Sequence, residues 1–431
     1  MRKKTVNIDV PVLARVEGEG ALHITVGSEG IEKLQLNIFE PPRFFEKLLA
    51  GRDFMEVTDI VTRICGICPV AYQISAVQAM EDLFAVDVGS WVRDMRRVFY
   101  CGEWIESHCL HMHLLAAPDF LGYNSVVEMA VDHAEVVRRG LKLQGLGNDL
   151  IKLFGARSVN PVGVRPGGFY RAPDLSSVQQ LCGRLQEALP EAFELLRWVS
   201  TIELPEVQQE FISVAMKSAD SYAITHGDIV SSTGLVLSAA EYDRYFVESH
   251  VAHSTALHSL LDGKPYLVGP LARMNLNYAQ LRPEIRQALR ECAVDFPSNN
   301  MFHSIVARAA ETCQAIMDSI EILQAYELPA TSYVPVAPQA GVGYGASEAP
   351  RGLLWHRYEF DQQGLVRHAR IVPPTSQNQA RIEQDIGLTL AAMGLGLPDE
   401  DLRLTAEKVI RNYDPCISCA THFLDLRVSR S

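Results

Sequence analysis

The chain has 431 residues, of which 48% are hydrophobic and 21% are charged, and its formal net charge at pH 7 is −13. This composition is typical of a large, well-packed globular protein. The acidic balance argues against a nucleic acid or an anionic membrane surface as a partner. No run of about 18 apolar residues occurs in the sequence, so we predict no transmembrane helix and no direct membrane insertion.

The first part of the chain predicts short strands followed by helices. Residues 5–10 alternate like a strand and do not resemble the apolar segment of a signal peptide. Apolar-rich segments on either side of residues 27–30 predict a hairpin over residues 21–39. Asp53 can cap a helix toward Arg63, and apolar periodicity predicts further helices over residues 70–84, 91–115 and 126–154.

The second part continues mainly helical. A capping box at Ser176 predicts a helix toward Trp198. Residues 283–323 predict a pair of helices with a break near Pro297. Residues 355–371 predict a hairpin, and residues 385–409 predict a helix with a break. No repeat or Pro/Gly-rich linker divides the chain, so we predict one unit. Because most of its predicted elements are helices, we predict a mainly α (α+β) fold: a large helical bundle core with small β-sheets near both ends.

Two Cys-x-x-Cys pairs stand near opposite ends of the chain, Cys65 with Cys68 and Cys416 with Cys419. Four thiolates complete the ligand set of one soft or borderline metal centre, so the fold must unite the two ends. The remaining five cysteines show no regular spacing and are expected to be buried thiols in a reducing compartment. Three histidines in the helix over residues 91–115 are expected to pack or hydrogen-bond rather than bind metal: His108, His111 and His113.

The segments around these pairs resemble the motifs that hold the active site in the large subunit of nickel–iron hydrogenases. Further motifs follow in the order of that family: Arg15-Val16-Glu17-Gly18, Arg43-Phe44-Phe45-Glu46, Gly51-Arg52-Asp53, Gly155-Ala156-Arg157-Ser158-Val159-Asn160-Pro161, Ala349-Pro350-Arg351-Gly352 and Pro374-Thr375. The stretch Pro69-Val70-Ala71-Tyr72 most resembles the cytosolic branch of NAD(P)-linked hydrogenases and sulfhydrogenase alpha subunits. The resemblance implies the large-subunit fold.

The resemblance implies roles for the cysteines in a nickel–iron centre whose iron carries carbon monoxide and cyanide. Cys65 and Cys416 would be terminal nickel ligands, while Cys68 and Cys419 would bridge nickel and iron. Arg351 and Thr375 suit the cyanides as hydrogen-bond donors. The alternative for the four cysteines is a structural zinc site.

Acidic and basic side chains would complete the site by the same resemblance. Glu17 is the candidate proton relay, and its alternative is a salt bridge beside Arg15. Asp119, Asp414 and Arg351 would form the charged surroundings of the metal, although Asp119 could be a helix-end residue and Arg351 a surface-loop residue. Glu46 and His422 would bind magnesium or a similar hard cation. The alternative is that Glu46 is a solvated helix glutamate and His422 is one more residue of the tail.

The implied activity is the reversible oxidation of hydrogen to two protons and two electrons in one catalytic domain over residues 1–422. Residues 423–431 would be an extension removed by a maturation protease, and nickel-insertion factors would load the site. The chain has no further cysteine cluster and no Gly-x-Gly-x-x-Gly fingerprint, so the electrons require an iron–sulfur small subunit. Flavin/NAD(P) diaphorase subunits are expected beyond it. The expected location is the cytoplasm.

Two other protein classes stay open from the sequence, a complex I-like quinone-site scaffold and a zinc-stapled interaction protein. Three positions depart from the family, which usually has histidine where this chain has Glu19, Tyr72 and Asn160. Tyr72 can donate a hydrogen bond to a sulfur but cannot carry a proton near neutral pH. The departures affect the expected reactivity and oxygen tolerance, not the set of metal ligands.

Overall fold

Helices are the commonest regular structure of the described chain, which covers residues 6–421 of the computed structural model. The predicted ligand His422 and the extension 423–431 lie outside the described residues. The α-helices of the described range are α1 Phe45–Leu49, α2 Phe54–Val61, α3 Pro69–Leu83, α4 Gly89–Leu110, α5 Ala117–Leu121, α6 Val126–Asp132, α7 Ala134–Gly155, α8 Leu175–Ser200, α9 Pro270–Asn277, α10 Pro283–Glu291, α11 Ser304–Gln324, α12 Pro374–Met393, α13 Asp399–Tyr413 and α14 Ile417–Ala420.

The strands form small antiparallel sheets beside these helices, and the predicted mainly α fold class is confirmed. In chain order the strands are β1 Val6–Val10, β2 Gly20–Val26, β3 Ile31–Ile38, β4 Val164–Arg165, β5 Gly168–Phe169, β6 Val214–Lys217, β7 Asp228–Ser231, β8 Val236–Leu237, β9 Phe246–Ser249, β10 His258–Leu261, β11 Gly341–Ala349, β12 Gly352–Phe360 and β13 Val366–Val372. The sheets are β1-β2-β3, β4-β5, β6-β7-β8, β10-β9 and β11-β12-β13.

The helical core is built by α3, α4, α7, α8 and α11. Helix α4 packs against α7 and α11, and α11 packs against α8. At the α4–α7 crossing the backbones come so close that a Cβ on Gly147 would lie 2.5 Å from the amide nitrogen of Glu106. Only glycine fits there, so this contact fixes the distance between α4 and α7.

The C-terminal sheet covers α3 and ends in a tight hairpin. Strand β11 lies along α3, and Ala349 pairs with Gly352, so that Pro350 and Arg351 form a two-residue turn. The sheet therefore presents the side chain of Arg351 at a defined position rather than on a surface loop, and Arg351 is buried.

The N-terminal and C-terminal segments meet through backbone hydrogen bonds. Residue Glu17 forms a parallel bridge with Cys416, in which the Ile417 amide donates to the Glu17 carbonyl at 3.0 Å. The Arg43 amide donates to the Thr421 carbonyl at 2.7 Å. These bonds unite the two ends, as the cysteine spacing predicted.

Most predicted elements are confirmed, with shifts at their boundaries. The N-terminal hairpin is present as β2 and β3, and Asp53 caps α2 through a bond from Met55. The predicted helix over 126–154 is broken at His133. The predicted capping box at Ser176 is wrong, because Asp174 caps α8 by accepting from the Ser177 amide at 2.8 Å.

Strands in the middle of the chain were not predicted. Strands β6 to β10 lie between residues 214 and 261, so small sheets are not confined to the two ends. The predicted helix over 91–115 continues as a π-helical segment, His111–Ala116. Among residues 6–421 no helix is both long and apolar enough to cross a membrane.

The α4–α7 contact gives a test with a matched pair of glycines on α7. Gly147→Ala is expected to lower stability by about 1–3 kcal/mol because the new Cβ must push α4 away. Gly145→Ala, whose Cβ would have no neighbour within 4 Å, is expected to be neutral or stabilising by up to about 1 kcal/mol. Thermal unfolding midpoints of the two variants measure the difference, and equal midpoints would contradict the close contact.

Candidate metal centre

The two cysteine pairs occupy loops that lead into helices. Cys65 follows α2, and Cys68 is the residue before α3, whose first residue is Pro69. Cys416 is the residue before α14, and Cys419 lies inside it. All four side chains are buried, with exposed fractions of 1% to 3%. The predicted set is therefore assembled in a dry interior.

The four sulfurs form a compact cluster in which all lie within 4.8 Å of one another. The Sγ of Cys65 is 3.3 Å from that of Cys416, and the Sγ of Cys68 is 3.5 Å from that of Cys419. The Cys416 and Cys419 sulfurs are 2.8 Å apart. The first two of these distances each join a sulfur near one end of the chain to a sulfur near the other, and the third joins two sulfurs of one Cys-x-x-Cys turn. A single metal centre bound by both Cys-x-x-Cys motifs requires this arrangement.

The surroundings shift the pKa values of the four thiols in different directions. Hydrogen bonds from Cys416, Cys419 and Cys68 lower the pKa of Cys65 well below its ordinary value. Burial and the neighbouring thiols raise the pKa of Cys416 well above its ordinary value. A metal that binds all four sulfurs must therefore displace protons from this cluster.

Glu17 touches the cysteine cluster directly. Its Oε2 accepts from the Cys416 sulfur at 3.1 Å and from the Ser418 amide at 3.0 Å. The next residue, Gly18, has φ +90°, and a Cβ there would lie 2.6 Å from the Cβ of Ile417. The turn at Gly18 thus lets the chain pass close to α14 and places the Glu17 carboxylate against a sulfur.

Arg351 and Asp414 form a buried ion pair next to the thiolates. The Arg351 Nε donates to the Asp414 carbonyl at 2.7 Å, and its Nη2 donates to Oδ1 at 3.0 Å. Burial disfavours the charge of Arg351, but Asp414, Cys416 and the first cysteine pair raise the pKa of Arg351 well above its ordinary value. The Nη1 of Arg351 is buried and has no hydrogen-bond partner, so it is available to a group bound at the cysteines.

A network that sequence analysis missed holds the Arg351 turn. Arg273 donates to the carbonyls of Ala349 and Pro350 at 2.8 and 3.0 Å. Its guanidinium also binds both carboxylate oxygens of Glu311 at 2.7 Å, and these side chains are fully buried. No short motif marks this pair, because its residues lie on α9 and α11, far apart in the sequence.

Thr375 and Arg43 hold the backbone around the cysteines. The Thr375 hydroxyl accepts from the Cys416 amide at 3.0 Å, which leaves its own hydrogen for another acceptor. Arg43 donates to the Ile64 carbonyl at 2.6 Å and also to the Ser418 carbonyl. One guanidinium therefore links the residues immediately before Cys65 and before Cys419.

Asp119 contacts two arginines rather than a sulfur. Its carboxylate binds Arg15 at 2.5 Å and Arg411 at 2.6 and 2.9 Å. Arg15 lies two residues before Glu17, and the Arg411 carbonyl accepts from the Asp414 amide at 3.0 Å. The contacts of Asp119 thus hold the two segments that carry Glu17 and Asp414.

The predicted cation ligands are only partly described. The Glu46 Oε1 accepts from the Ile371 amide at 2.7 Å, which joins α1 to β13. The other predicted ligand, His422, lies outside the described residues. The cation site of Glu46 and His422 stays a prediction.

The three histidines are buried and pack as predicted. The Nε2 of His108 is 2.9 Å from Glu311, that of His111 is 2.7 Å from the Arg411 carbonyl, and His113 stacks on Trp198. Burial lowers the pKa of His113 to about 4 and that of His108 to about 4. These rings are therefore neutral near pH 7 and support the helices around the site.

Two buried glutamates on α4 were not predicted. Glu103 accepts from the amides of Val70 and Ala71 at 2.6 and 3.1 Å and so caps α3 directly after Cys68. Glu106 accepts one long bond, 3.4 Å, from Gln144, and its other oxygen is buried without a partner. Burial raises the pKa of Glu106 to about 7, with opposing effects of Gln144 and Arg351.

Comparisons with known proteins agree with this geometry. Residues 43–189 and 248–422 match the sequence model of the family described as nickel-dependent hydrogenase. The chain is 33% identical to sulfhydrogenase 1 subunit alpha of Pyrococcus furiosus over 99% of this chain and 100% of that protein. It is 30% identical to sulfhydrogenase 2 subunit alpha of the same organism, over 97% and 100% of the two chains.

Solved structures give the same relationship. The fold is similar to that of an NAD+-reducing [NiFe]-hydrogenase in the H2-reduced state, with a TM-score of 0.88 and 25% identity. The match covers 98% of this chain and 100% of that chain. The helices and small sheets described above therefore form the arrangement of a known hydrogenase chain.

Glu106 predicts a measurable dependence of stability on pH. Its pKa is about 7 in the folded chain against 4.5 for an ordinary glutamate, so its contribution to stability is full below pH 4.5 and is lost as pH rises through about 7. The loss is at most about 3 kcal/mol. Glu106→Gln is therefore expected to raise the unfolding midpoint at pH 8, with a smaller difference at pH 5.

The exposed Glu187 on α8 provides the matched control. Glu187→Gln should follow the native pH dependence, because its carboxylate is solvated in both states. Parallel midpoint curves for Glu106→Gln and the native chain would mean that Glu106 does not titrate in this range.

Proposed function

This chain belongs to the nickel-dependent hydrogenase family as a large subunit and is an oxidoreductase, and we propose how its residues carry out reversible hydrogen oxidation. The overall reaction converts hydrogen into two protons and two electrons. The observation that carries the proposal is the contact between Glu17 and the sulfur of Cys416 inside a buried four-cysteine cluster. A quinone-site scaffold and a zinc-stapled protein have no support from the family match.

The four buried cysteines are the metal-binding cluster of this nickel-dependent chain. In the proposed assignment Cys65 and Cys416 would hold nickel, and Cys68 and Cys419 would hold both nickel and iron. When bound, the nickel–iron centre supplies the electrophilic site at which hydrogen is split into a proton and a hydride equivalent. The short distances between sulfurs of opposite pairs support one shared centre.

Glu17 moves the proton away from the cluster. The Cys416 sulfur, acting as a base, holds the proton after hydrogen is split, and the Glu17 carboxylate accepts it over 3.1 Å. The Ser418 amide fixes the carboxylate in this position. The reverse transfer returns a proton to the sulfur when hydrogen is formed.

Arg351 and Thr375 suit the diatomic ligands of iron. The unpartnered Nη1 of Arg351 is a buried, charged donor for one cyanide, and Asp414 fixes the orientation of the guanidinium. The hydroxyl hydrogen of Thr375 suits a second acceptor. Carbon monoxide and cyanide on iron remain part of the proposal, as does magnesium binding by Glu46 and His422. Asp119 acts by holding Arg15 and Arg411.

The partners are inferred from the chemistry and from the relatives. The two Pyrococcus relatives are named as alpha subunits, so a further subunit is part of those complexes. We expect an iron–sulfur small subunit to receive the electrons and flavin/NAD(P) diaphorase subunits to pass them on. The exposed apolar side chains of Val12, Phe39 and Phe44 flank segments that touch the cysteine loops and suit a subunit interface.

Maturation and location complete the proposal. A maturation protease would remove residues 423–431 after nickel-insertion factors act, and the family match, which ends at residue 422, supports this boundary. The chain would act in the cytoplasm, where a reducing medium keeps its nine cysteines from forming disulfides.

Infrared spectroscopy of the purified complex tests the metal centre. We expect sharp bands in the carbon monoxide and cyanide stretching region, with about one nickel and one iron per chain beyond the clusters of the partner. Zinc without these bands would contradict the assignment. An intact mass that includes Ser431 together with no metal would identify an immature chain.

Glu17→Gln tests the proton relay. The variant should bind nickel and iron normally, because the amide oxygen can still accept from Ser418, but an amide cannot take up the proton. Turnover and hydrogen–deuterium exchange should fall by about 100-fold or more.

Glu32→Gln is the control, since Glu32 is an exposed glutamate on β3 and is not part of the site. It should keep both activities. Unchanged exchange in Glu17→Gln would remove Glu17 from the proton path.

A further inference from the structure

A second group of metal-binding side chains lies outside the cysteine cluster. It consists of His253, His258 and Glu383, each of which offers one ligand atom, and these atoms all lie within 4.8 Å of one another. The group is contributed by three parts of the fold: the connection between β9 and β10, strand β10 and helix α12. Neither its residues nor its elements are those of the cysteine cluster.

The three side chains are held in place by surrounding contacts. The Nε2 of His253 is 2.8 Å from the Glu383 Oε1, which also accepts from the Leu36 amide at 2.8 Å. The ring centroids of His253 and His258 are 5.8 Å apart and nearly perpendicular. Thr255, between the two histidines, bonds to the Ile38 and Glu40 carbonyls of the neighbouring segment. The site is therefore preformed rather than assembled from mobile side chains.

One ring nitrogen in this group lacks a partner. The side chain of His258 is buried, with a 5% exposed fraction, and its Nε2 makes no hydrogen bond. An unpartnered imidazole nitrogen costs free energy when buried. A metal ion satisfies such a nitrogen by accepting its lone pair, while a second imidazole and a carboxylate complete three of the ligands.

We propose that His253, His258 and Glu383 bind one borderline divalent metal ion, of the class of Zn²⁺. Two imidazoles and a carboxylate are the ligand types that this class prefers, at bond lengths of about 2.0–2.2 Å. An ion at those distances would replace the 2.8 Å hydrogen bond between the His253 nitrogen and the Glu383 oxygen, and these two atoms would move slightly apart to bind it. His253 and Glu383 are each partly exposed, which leaves room for water as a further ligand.

The ion would join segments that are distant in the sequence. Glu383 lies on the same helix as Thr375, whose hydroxyl accepts from the Cys416 amide. Binding would fix α12 to the β9–β10 hairpin and to β3, through the bond to Leu36. The ion therefore has a structural role, stabilising the helix whose first turn supports the cysteine cluster.

Zinc binding to the purified complex tests this proposal. After chelator treatment and equilibration with Zn²⁺, we expect about one zinc per chain by mass spectrometry of the metals. X-ray absorption at the zinc edge should show nitrogen and oxygen ligands near 2.0 Å with imidazole scattering. Sulfur ligands near 2.3 Å would instead place the zinc at the cysteines and overturn the assignment.

Variants separate the ligands from their surroundings. His253→Gln and Glu383→Gln, at the two partly exposed positions, should each lower zinc affinity by about tenfold or more and abolish the rise of the unfolding midpoint with added zinc. His250→Gln, at an exposed position in the same connection, should keep both. The proposed site is refuted if both ligand variants bind as much zinc as the unmodified complex, or if the unmodified complex binds no zinc. Hydrogenase activity without zinc would leave the proposed function intact.

Discussion

The union of the two chain ends around four buried thiols is the constraint on which the rest of this structure depends. Thiolates repel one another, and burial disfavours their charges, so the backbone must hold them together before any metal can do so. The parallel bridge between Glu17 and Cys416 and the two bonds from Arg43 provide this support. The Glu17–Cys416 bridge and the bond from Arg43 to Ser418 join residues near opposite ends of the chain, and the bond to Ile64 ties the same guanidinium to the first cysteine loop.

Charge compensation extends outward from the cysteines in layers. Arg351 offsets the negative sulfurs and is itself oriented by Asp414. Arg273 in turn holds the turn at Arg351, and its charge is balanced by Glu311. Removing one member of such a buried series leaves an uncompensated charge, which typically costs several kcal/mol. The interior is therefore polar by necessity around the site, although the helices that enclose it are packed by apolar side chains.

The sequence predicted the parts whose signals are local, and it missed those that depend on distant partners. Cysteine spacing, apolar periodicity and the cap at Asp53 identified the ligand set and most helices. Strands β6 to β10 are too short to give a clear periodic signal, and Asp174 caps α8 where the sequence pattern favours Ser176. Arg273, Glu103 and Glu106 carry no motif, because their roles arise only when α4, α9 and α11 are packed. Asp119 was assigned by resemblance, but its contacts with Arg15 and Arg411 could be known only from the fold.

The large distance in sequence between the two Cys-x-x-Cys pairs also has a consequence for biosynthesis. Cys65 and Cys416 are 351 residues apart, and a ribosome that adds about 5–20 residues per second needs roughly 20–70 s to cover that distance. During this interval the first pair of thiols is translated but cannot yet meet its counterparts. A nascent chain of this kind is vulnerable to oxidation and to capture of the wrong ion, and helpers that recognise Cys65 and Cys68 alone would have to act within that time.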